Sequence, residues 1–126
     1  MLKVHVQRLG DVTILCLQGR VVIGYISALA NAVNSQSDVS SVVLDFSRVS
    51  RVDARGLGAL LELREQAQSK GINFKLMNVT NLIQQVLELT CLNAVFEIST
   101  EQDVLSSVAR FLPAEVMRIV PCAEAA

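Results

Sequence analysis

The sequence is poor in the residues that build catalytic and metal sites. Its 126 residues include one histidine, three cysteines and no tryptophan. Cys16, Cys91 and Cys122 are odd in number and widely spaced, so neither a disulfide framework nor a zinc site is predicted. The lone His5 is interpreted as an exposed strand residue. The composition therefore predicts no catalytic residue, no metal ligand and no cofactor.

Charge is also sparse. Charged residues make up 18% of the chain, compared with about 25% in an average domain. The 11 basic and 12 acidic residues give a formal net charge of −1. Because no basic excess is available to neutralise phosphates, nucleic acid is not predicted as a partner.

Long hydrophobic runs are absent, although 52% of the residues are apolar. The longest charge-free stretches, residues 21–37 and 76–87, contain Asn together with Ser or Gln. A membrane span needs roughly 20 mostly apolar residues. The first residues alternate in polarity and do not form the apolar block of a signal peptide. We therefore expect a cytoplasmic protein that does not insert into a membrane.

Alternating polarity predicts two strands at the start of the chain, joined by a tight turn at Gly10 and Asp11. The alternating apolar residues are Val4, Val6, Val12, Ile14 and Cys16. A continuous apolar run over residues 41–46 is typical of a central strand that is buried on both faces.

Helical spacing and strand-like runs alternate along the rest of the chain. Helices are predicted near residues 25–33, 57–70, 82–87 and 104–111, and further strands near residues 74–78 and 94–98. This order predicts one α/β domain over residues 1–112, with a mixed, mostly parallel sheet of about four or five strands and about four helices. Pro113 is predicted to end the last helix, and residues 113–126 to form a C-terminal tail.

Residues 45–58 are predicted to contain a strand end, a short loop and a helix start. Asp53 is a natural N-cap, because its carboxylate can accept the backbone N–H of Arg55 or Gly56. A catalytic or phosphoacceptor carboxylate is the alternative interpretation of Asp53. Gly56 and Gly58 are poor helix formers, so their position in the first turn indicates close approach to the backbone or tight packing on the sheet.

This segment resembles the corresponding loop of STAS domains, the fold of bacterial anti-sigma factor antagonists. The matching residues are Asp45, Phe46 and Ser47 at the strand end, and Asp53, Gly56, Leu57 and Gly58 at the helix start. The resemblance extends from about residue 4 to residue 111. It implies the STAS fold for the whole domain.

One departure from the family pattern concerns regulation. In the regulated antagonists, the residue before the first motif glycine is a Ser or Thr that an anti-sigma kinase phosphorylates. Here that residue is Arg55 and the one before it is Ala54, so neither side chain has a hydroxyl. The resemblance therefore implies that the switch is absent or has moved to another hydroxyl, such as Ser47 or Ser50. Arg55 itself is interpreted either as a solvated surface residue or as a residue that docks a partner or recognises a phosphate.

The resemblance implies a non-enzymatic protein that binds an anti-sigma factor of the serine-kinase type and so regulates transcription without contacting DNA. The implied partner-binding residues are Asp45, Ser47, Asp53, Ala54, Arg55, Gly56 and Leu57. Two alternatives remain open. One is a STAS subunit of a lipid or anion transport system, and the other is a sensor that holds a nucleotide or anion near Arg55. A homodimer is compatible with all three.

Overall fold

The computed structural model describes residues 2–22, 24, 26–36 and 38–108. In this part of the chain there are five strands and four helices. In chain order they are β1 (Leu2–Leu9), β2 (Val12–Val21), α1 (Ser27–Asn34), β3 (Ser41–Val52), α2 (Ala54–Ser69), β4 (Asn73–Met77), α3 (Asn81–Leu89), β5 (Glu97–Ser99) and α4 (Glu101–Val108). The predicted single α/β domain, with about four or five strands and about four helices, is confirmed.

The five strands form one sheet in the order β1-β2-β3-β4-β5. The β1 and β2 strands are antiparallel, and Gly10 in the turn between them has a positive φ of 62°. The other neighbouring strands are parallel, as expected for strands joined by helical crossovers. The predicted mixed, mostly parallel sheet is confirmed.

Helices cover both faces of the sheet. On one face, Leu29 of α1, Leu60 of α2 and Ile83 of α3 share a hydrophobic core with the buried strand residues Leu44 and Leu76. On the other face, α4 contributes Val104 to a smaller cluster that contains Val12, Ile14, Cys16, Val43 and Met77. The central strand β3 is therefore buried on both sides, as its continuous apolar run predicts.

The β3 strand is longer than predicted, because residues 47–52 continue it and do not form a loop. Two register shifts against β2, between Cys16 and Gln18 and between Gly19 and Arg20, leave extra residues on the β3 side. Each bulge adds one residue and breaks the two-residue alternation. As a result, Phe46, Val49 and Val52 are all buried at a spacing of three residues.

Two other expectations are corrected. The predicted strand at residues 94–98 occupies residues 97–99, because the backbone N–H groups of Val95 and Phe96 donate to the carbonyl oxygen of Leu92 in a turn. The last helix begins at Glu101, where the side-chain oxygen of Thr100 accepts the backbone N–H of Asp103.

The predicted helix end near Phe111, the stop at Pro113 and the tail at residues 113–126 lie outside the described residues. Within the described part of the chain, no helix combines the length and the apolar character needed to cross a bilayer.

Candidate protein-binding site

The start of α2 is held by a side-chain cap. Asp53 has extended backbone angles, and its Oδ1 atom accepts the backbone N–H of Gly56 at 2.7 Å. This contact satisfies one of the N–H groups that a helix start leaves without an intrahelical partner. The capping interpretation of Asp53 therefore agrees with the structure.

Gly56 brings α2 against the end of β2. A β-carbon at Gly56 would overlap the carbonyl oxygen of Val21 and would lie 2.9 Å from its carbonyl carbon. The backbone N–H of Asp53 also donates to that carbonyl oxygen, at 3.4 Å. The close approach predicted for the motif glycines thus occurs at Gly56. It does not occur at Gly58, where a β-carbon would meet no atom within 4 Å.

The residues of this helix start face in different directions. Ala54 and Arg55 are exposed, whereas Gly56 and Leu57 are buried. Leu57 belongs to the hydrophobic core, so its side chain is not presented at the surface. Arg55 makes no side-chain hydrogen bond or ion pair with the described residues. Of the predicted partner-binding residues in α2, only Ala54 and Arg55 offer side chains to a partner.

Asp45 is inside the protein. Its exposed fraction is 2%, and its Oδ1 atom accepts the backbone N–H of Ser47 at 2.9 Å and the side-chain amide of Asn78 at 3.3 Å. Its Oδ2 atom lies 3.9 Å from the Cys16 sulfur. A buried carboxylate with these contacts organises the strand ends. The position of Asp45 in the sequence favours capping or buried hydrogen bonding at the strand end, and the structure agrees with that interpretation.

The predicted site residues lie in two places, one within β3 and the other at the start of α2. Asp45 and Ser47 line a cleft of about 560 Å³. The other lining residues are Arg48, Asn78, Val79, Thr80 and Glu101. Val52, which leads into α2, is seven residues further along the strand than Asp45, or roughly 20 Å at the usual rise per residue. The cleft and the exposed start of α2 are therefore distinct surfaces.

The residues that complete the cleft were not predicted from the sequence. Asn78 follows β4 with a φ of 57°, and Thr80 caps α3 by accepting the backbone N–H of Ile83. Glu101 begins α4 after β5. Because the carboxyl ends of parallel strands meet at one edge of a sheet, polar residues that follow each predicted strand were the available signal.

The two serines considered as alternative phosphorylation positions are both exposed strand residues. The Ser50 hydroxyl donates to the carbonyl oxygen of Gly19 at 3.2 Å, whereas Ser47 borders the cleft. Among the described residues, no group of three His, Cys, Asp or Glu side chains is placed to hold a metal ion.

Comparison with known families identifies the class of protein. The family model for the STAS domain matches residues 3–105, which is most of the chain. The chain therefore belongs to the STAS domain family, in agreement with the resemblance based on residues 45–58.

Solved structures share this fold at low sequence identity. An anti-sigma factor antagonist from Mycobacterium paratuberculosis has 20% identity and a TM-score of 0.73, with 86% of this chain and 95% of that chain covered. The phosphorylated form of the Bacillus cell fate determinant SpoIIAA has 16% identity and a TM-score of 0.64, covering 84% and 99%. A sulfate transporter family protein from Wolinella succinogenes has 19% identity and a TM-score of 0.69, covering 81% and 88%.

Proposed function

We propose that the chain is a non-enzymatic, cytoplasmic bacterial interaction module that acts as an anti-sigma factor antagonist. The observation that carries the proposal is the exposed pair Ala54 and Arg55 at a helix start fixed by Asp53 and Gly56. Similarity to a mycobacterial antagonist over 86% of this chain supports the same role.

In this proposal, the start of α2 is a preformed docking surface. The Asp53 cap and the contact between Gly56 and Val21 hold the backbone in place before a partner arrives. A surface that is already ordered loses less conformational entropy on binding. An anti-sigma factor of the serine-kinase type would bind there, and its capture would release a sigma factor for transcription.

Regulation by phosphate would differ from that of the Bacillus relative solved in its phosphorylated form. Phosphorylation adds a charge of about −1.5 to −2 at a docking surface. Ala54 and Arg55 cannot accept a phosphate ester, and Arg55 is permanently cationic. The module would therefore bind without a switch at this position, with Ser47 and Ser50 as the remaining candidate hydroxyls.

The test is a calorimetric titration of the full chain with an anti-sigma factor of the serine-kinase type from the same genome. Ala54→Glu places a bulky acid on the exposed surface while keeping a residue that suits a helix start. We expect about tenfold or weaker affinity, because the substitution lies in the proposed contact. Gln66→Glu, at an exposed position further along α2, is the matched control and is expected to bind as the wild type does. Equal affinities for both variants, or no binding by the wild type, would contradict the proposal.

A STAS subunit of a transport system is the second candidate. It is favoured by the similarity to the sulfate transporter family protein from Wolinella succinogenes. Affinity purification from native cytosol, followed by mass spectrometry, separates the two candidates: recovery of a permease or transport ATPase in place of a kinase-type regulator would support the second. The sensor alternative, with a nucleotide or anion held near Arg55, has no specific observation in its favour.

A further inference from the structure

Two arginines stand opposite each other at the end of the sheet. Arg20 of β2 and Arg51 of β3 are partners in the parallel register, and neighbouring strands lie about 4.8 Å apart. Both residues are exposed, and neither side chain makes a hydrogen bond or ion pair with the described residues. Like charges that face each other across strands are destabilising. The fold thus places two cationic residues side by side at this position.

Arg55 extends the same basic region. It follows Arg51 by four residues, so their Cα atoms are at most about 14 Å apart. The next pair in the register, Val21 and Val52, leads directly into the capped start of α2. Asp53 is the one acid in residues 46–58, and its carboxylate is occupied by the N–H of Gly56. The three guanidinium groups of Arg20, Arg51 and Arg55 are named here the arginine surface.

The charge of this region differs in sign from that of the chain. Arg20, Arg51, Arg55 and Asp53 together carry a net charge of +2, whereas the whole chain has a net charge of −1. The remaining residues therefore carry −3. Such an asymmetry creates a local field that favours an anionic partner.

The side-chain chemistry of the region indicates the class of partner. Binding to nucleic acid typically uses about 6–10 phosphate contacts, more than this surface provides. Guanidinium groups bind carboxylates through paired N–H donors. We propose that the arginine surface binds a carboxylate-rich patch on the protein partner. This inference rests on the proposed function, and it specifies the chemistry of the partner.

An NMR titration of the full chain tests the inference with a defined probe, a short capped peptide of alternating Glu and Gly. We expect salt-sensitive shifts of the amide signals of Arg20, Arg51 and Arg55. The double variant Arg20→Gln/Arg51→Gln should bind the peptide about tenfold more weakly. The matched control is Arg64→Gln/Lys70→Gln, which removes the same charge from the distant part of α2 and is expected to bind normally.

Several results would overturn the inference. They are the absence of binding, equal weakening in the two double variants, and equal binding of a peptide with Gln in place of Glu. Tighter binding of a DNA duplex or of phosphatidylglycerol vesicles at the same three residues would replace the protein partner with a general polyanion.

A folding measurement examines the Arg20–Arg51 pair by itself. Arg51→Gln removes one of two opposed charges, so the urea midpoint should rise at low ionic strength and the gain should shrink at high ionic strength. A lower midpoint at both ionic strengths would show that the opposed charges are not strained.

The outcomes also distinguish this inference from the proposed function. If an anti-sigma kinase binds the wild type and the Arg20→Gln/Arg51→Gln variant equally, the function stands and the arginine surface is wrong. If the acidic peptide binds as expected but no anti-sigma kinase does, the arginine surface stands and the function is wrong.

Discussion

Gly56 and Val21 touch so closely that the space between them admits no β-carbon. The carbonyl oxygen of Val21, at the end of β2, occupies the position where a side chain of residue 56 would begin. The same oxygen accepts the backbone N–H of Asp53. This contact joins the sheet to the start of α2. It therefore fixes the position of Ala54 and Arg55 relative to the sheet.

Gly56→Ala is therefore expected to destabilise the protein by about 1–3 kcal/mol, because the added methyl group must push α2 away from β2. Chemical denaturation with urea measures the change. Gly58→Ala is the matched control: it meets open space, and alanine is a better helix former by about 1 kcal/mol. The two substitutions should move the urea midpoint in opposite directions. A midpoint unchanged by Gly56→Ala would show that the two backbones can separate freely.

The cap gives a second prediction. Asp53→Ala removes the acceptor for the Gly56 N–H and should lower the free energy of unfolding by about 0.5–2 kcal/mol. We expect a lower urea midpoint with an unchanged slope, because the surface exposed on unfolding stays the same. Asp53→Asn retains a capping oxygen and should recover most of the loss. If Asp53→Ala kept the wild-type midpoint but lost partner binding, the residue would act in recognition and not as a cap.

A third prediction concerns backbone strain at Cys91, which follows α3. Cys91 is exposed and has a φ of 61°, a left-handed conformation that costs a non-glycine residue about 1–2 kcal/mol. Its N–H donates to the carbonyl oxygen of Glu88, and the N–H of Leu92 donates to that of Leu87, so the helix end requires this geometry.

Cys91→Gly should accordingly raise the stability by about 1 kcal/mol, measured as a higher midpoint in urea. Gly71→Ala is the reverse control, since Gly71 has a φ of 75° at the end of α2, and it should lower the midpoint. A lower midpoint for Cys91→Gly would mean that the cysteine side chain contributes contacts that outweigh the strain.

The parts of the fold that the sequence predicts are those in which the polarity pattern is regular. The alternation before and after Gly10 predicted the β1–β2 hairpin, and the helix predicted near residues 57–70 ends within one residue of the end of α2 at Ser69. The length of β3 was not predicted, because its bulges space Phe46, Val49 and Val52 by three residues and imitate a loop. Local patterns do not show such shifts, which arise from pairing with β2.

In the candidate site, too, features that depend on sequence neighbours were predicted and features that depend on distant residues were not. The Asp53 cap depends on neighbours in sequence and was predicted. The opposition of Arg20 and Arg51 depends on the register of two strands whose members are 31 residues apart, and it was not predicted. Hydrogen bonding by Asp45 at the strand end was predicted, but its partner Asn78, which reaches it from beyond β4, was not.

The absence of a hydroxyl at the helix start leads to a fourth prediction. An anti-sigma kinase supplied with ATP should leave residues 54 and 55 unmodified, because neither Ala nor Arg can form a phosphate ester. Intact-mass measurement followed by peptide mapping checks this. Phosphate on Ser47 or Ser50 would place the switch on β3. The substitution Ser50→Ala would then serve as the control, since it removes a hydroxyl bound to the Gly19 carbonyl oxygen.

The last prediction concerns Arg55, the residue at which this chain leaves the family pattern. Two roles are physically distinct. Arg55 either pairs with a carboxylate of the partner, or its long side chain blocks a partner that requires a small hydroxyl. Pairing is favoured, because a cation near the positive end of a helix dipole is unfavourable unless an anion compensates it, and no described residue supplies that anion to Arg55.

If Arg55 pairs with an acid, Arg55→Ser should weaken binding to the kinase-type partner by more than about 1 kcal/mol, with a smaller loss at high salt. Arg55→Lys keeps the charge but not the planar pair of donors. Its affinity for the partner should therefore lie between those of the wild type and Arg55→Ser. Calorimetric titration at two ionic strengths measures all three proteins. Tighter binding by Arg55→Ser, with phosphate appearing on the new serine, would establish the blocking role. If the three affinities are equal at both ionic strengths, Arg55 is a solvated surface residue and neither role holds.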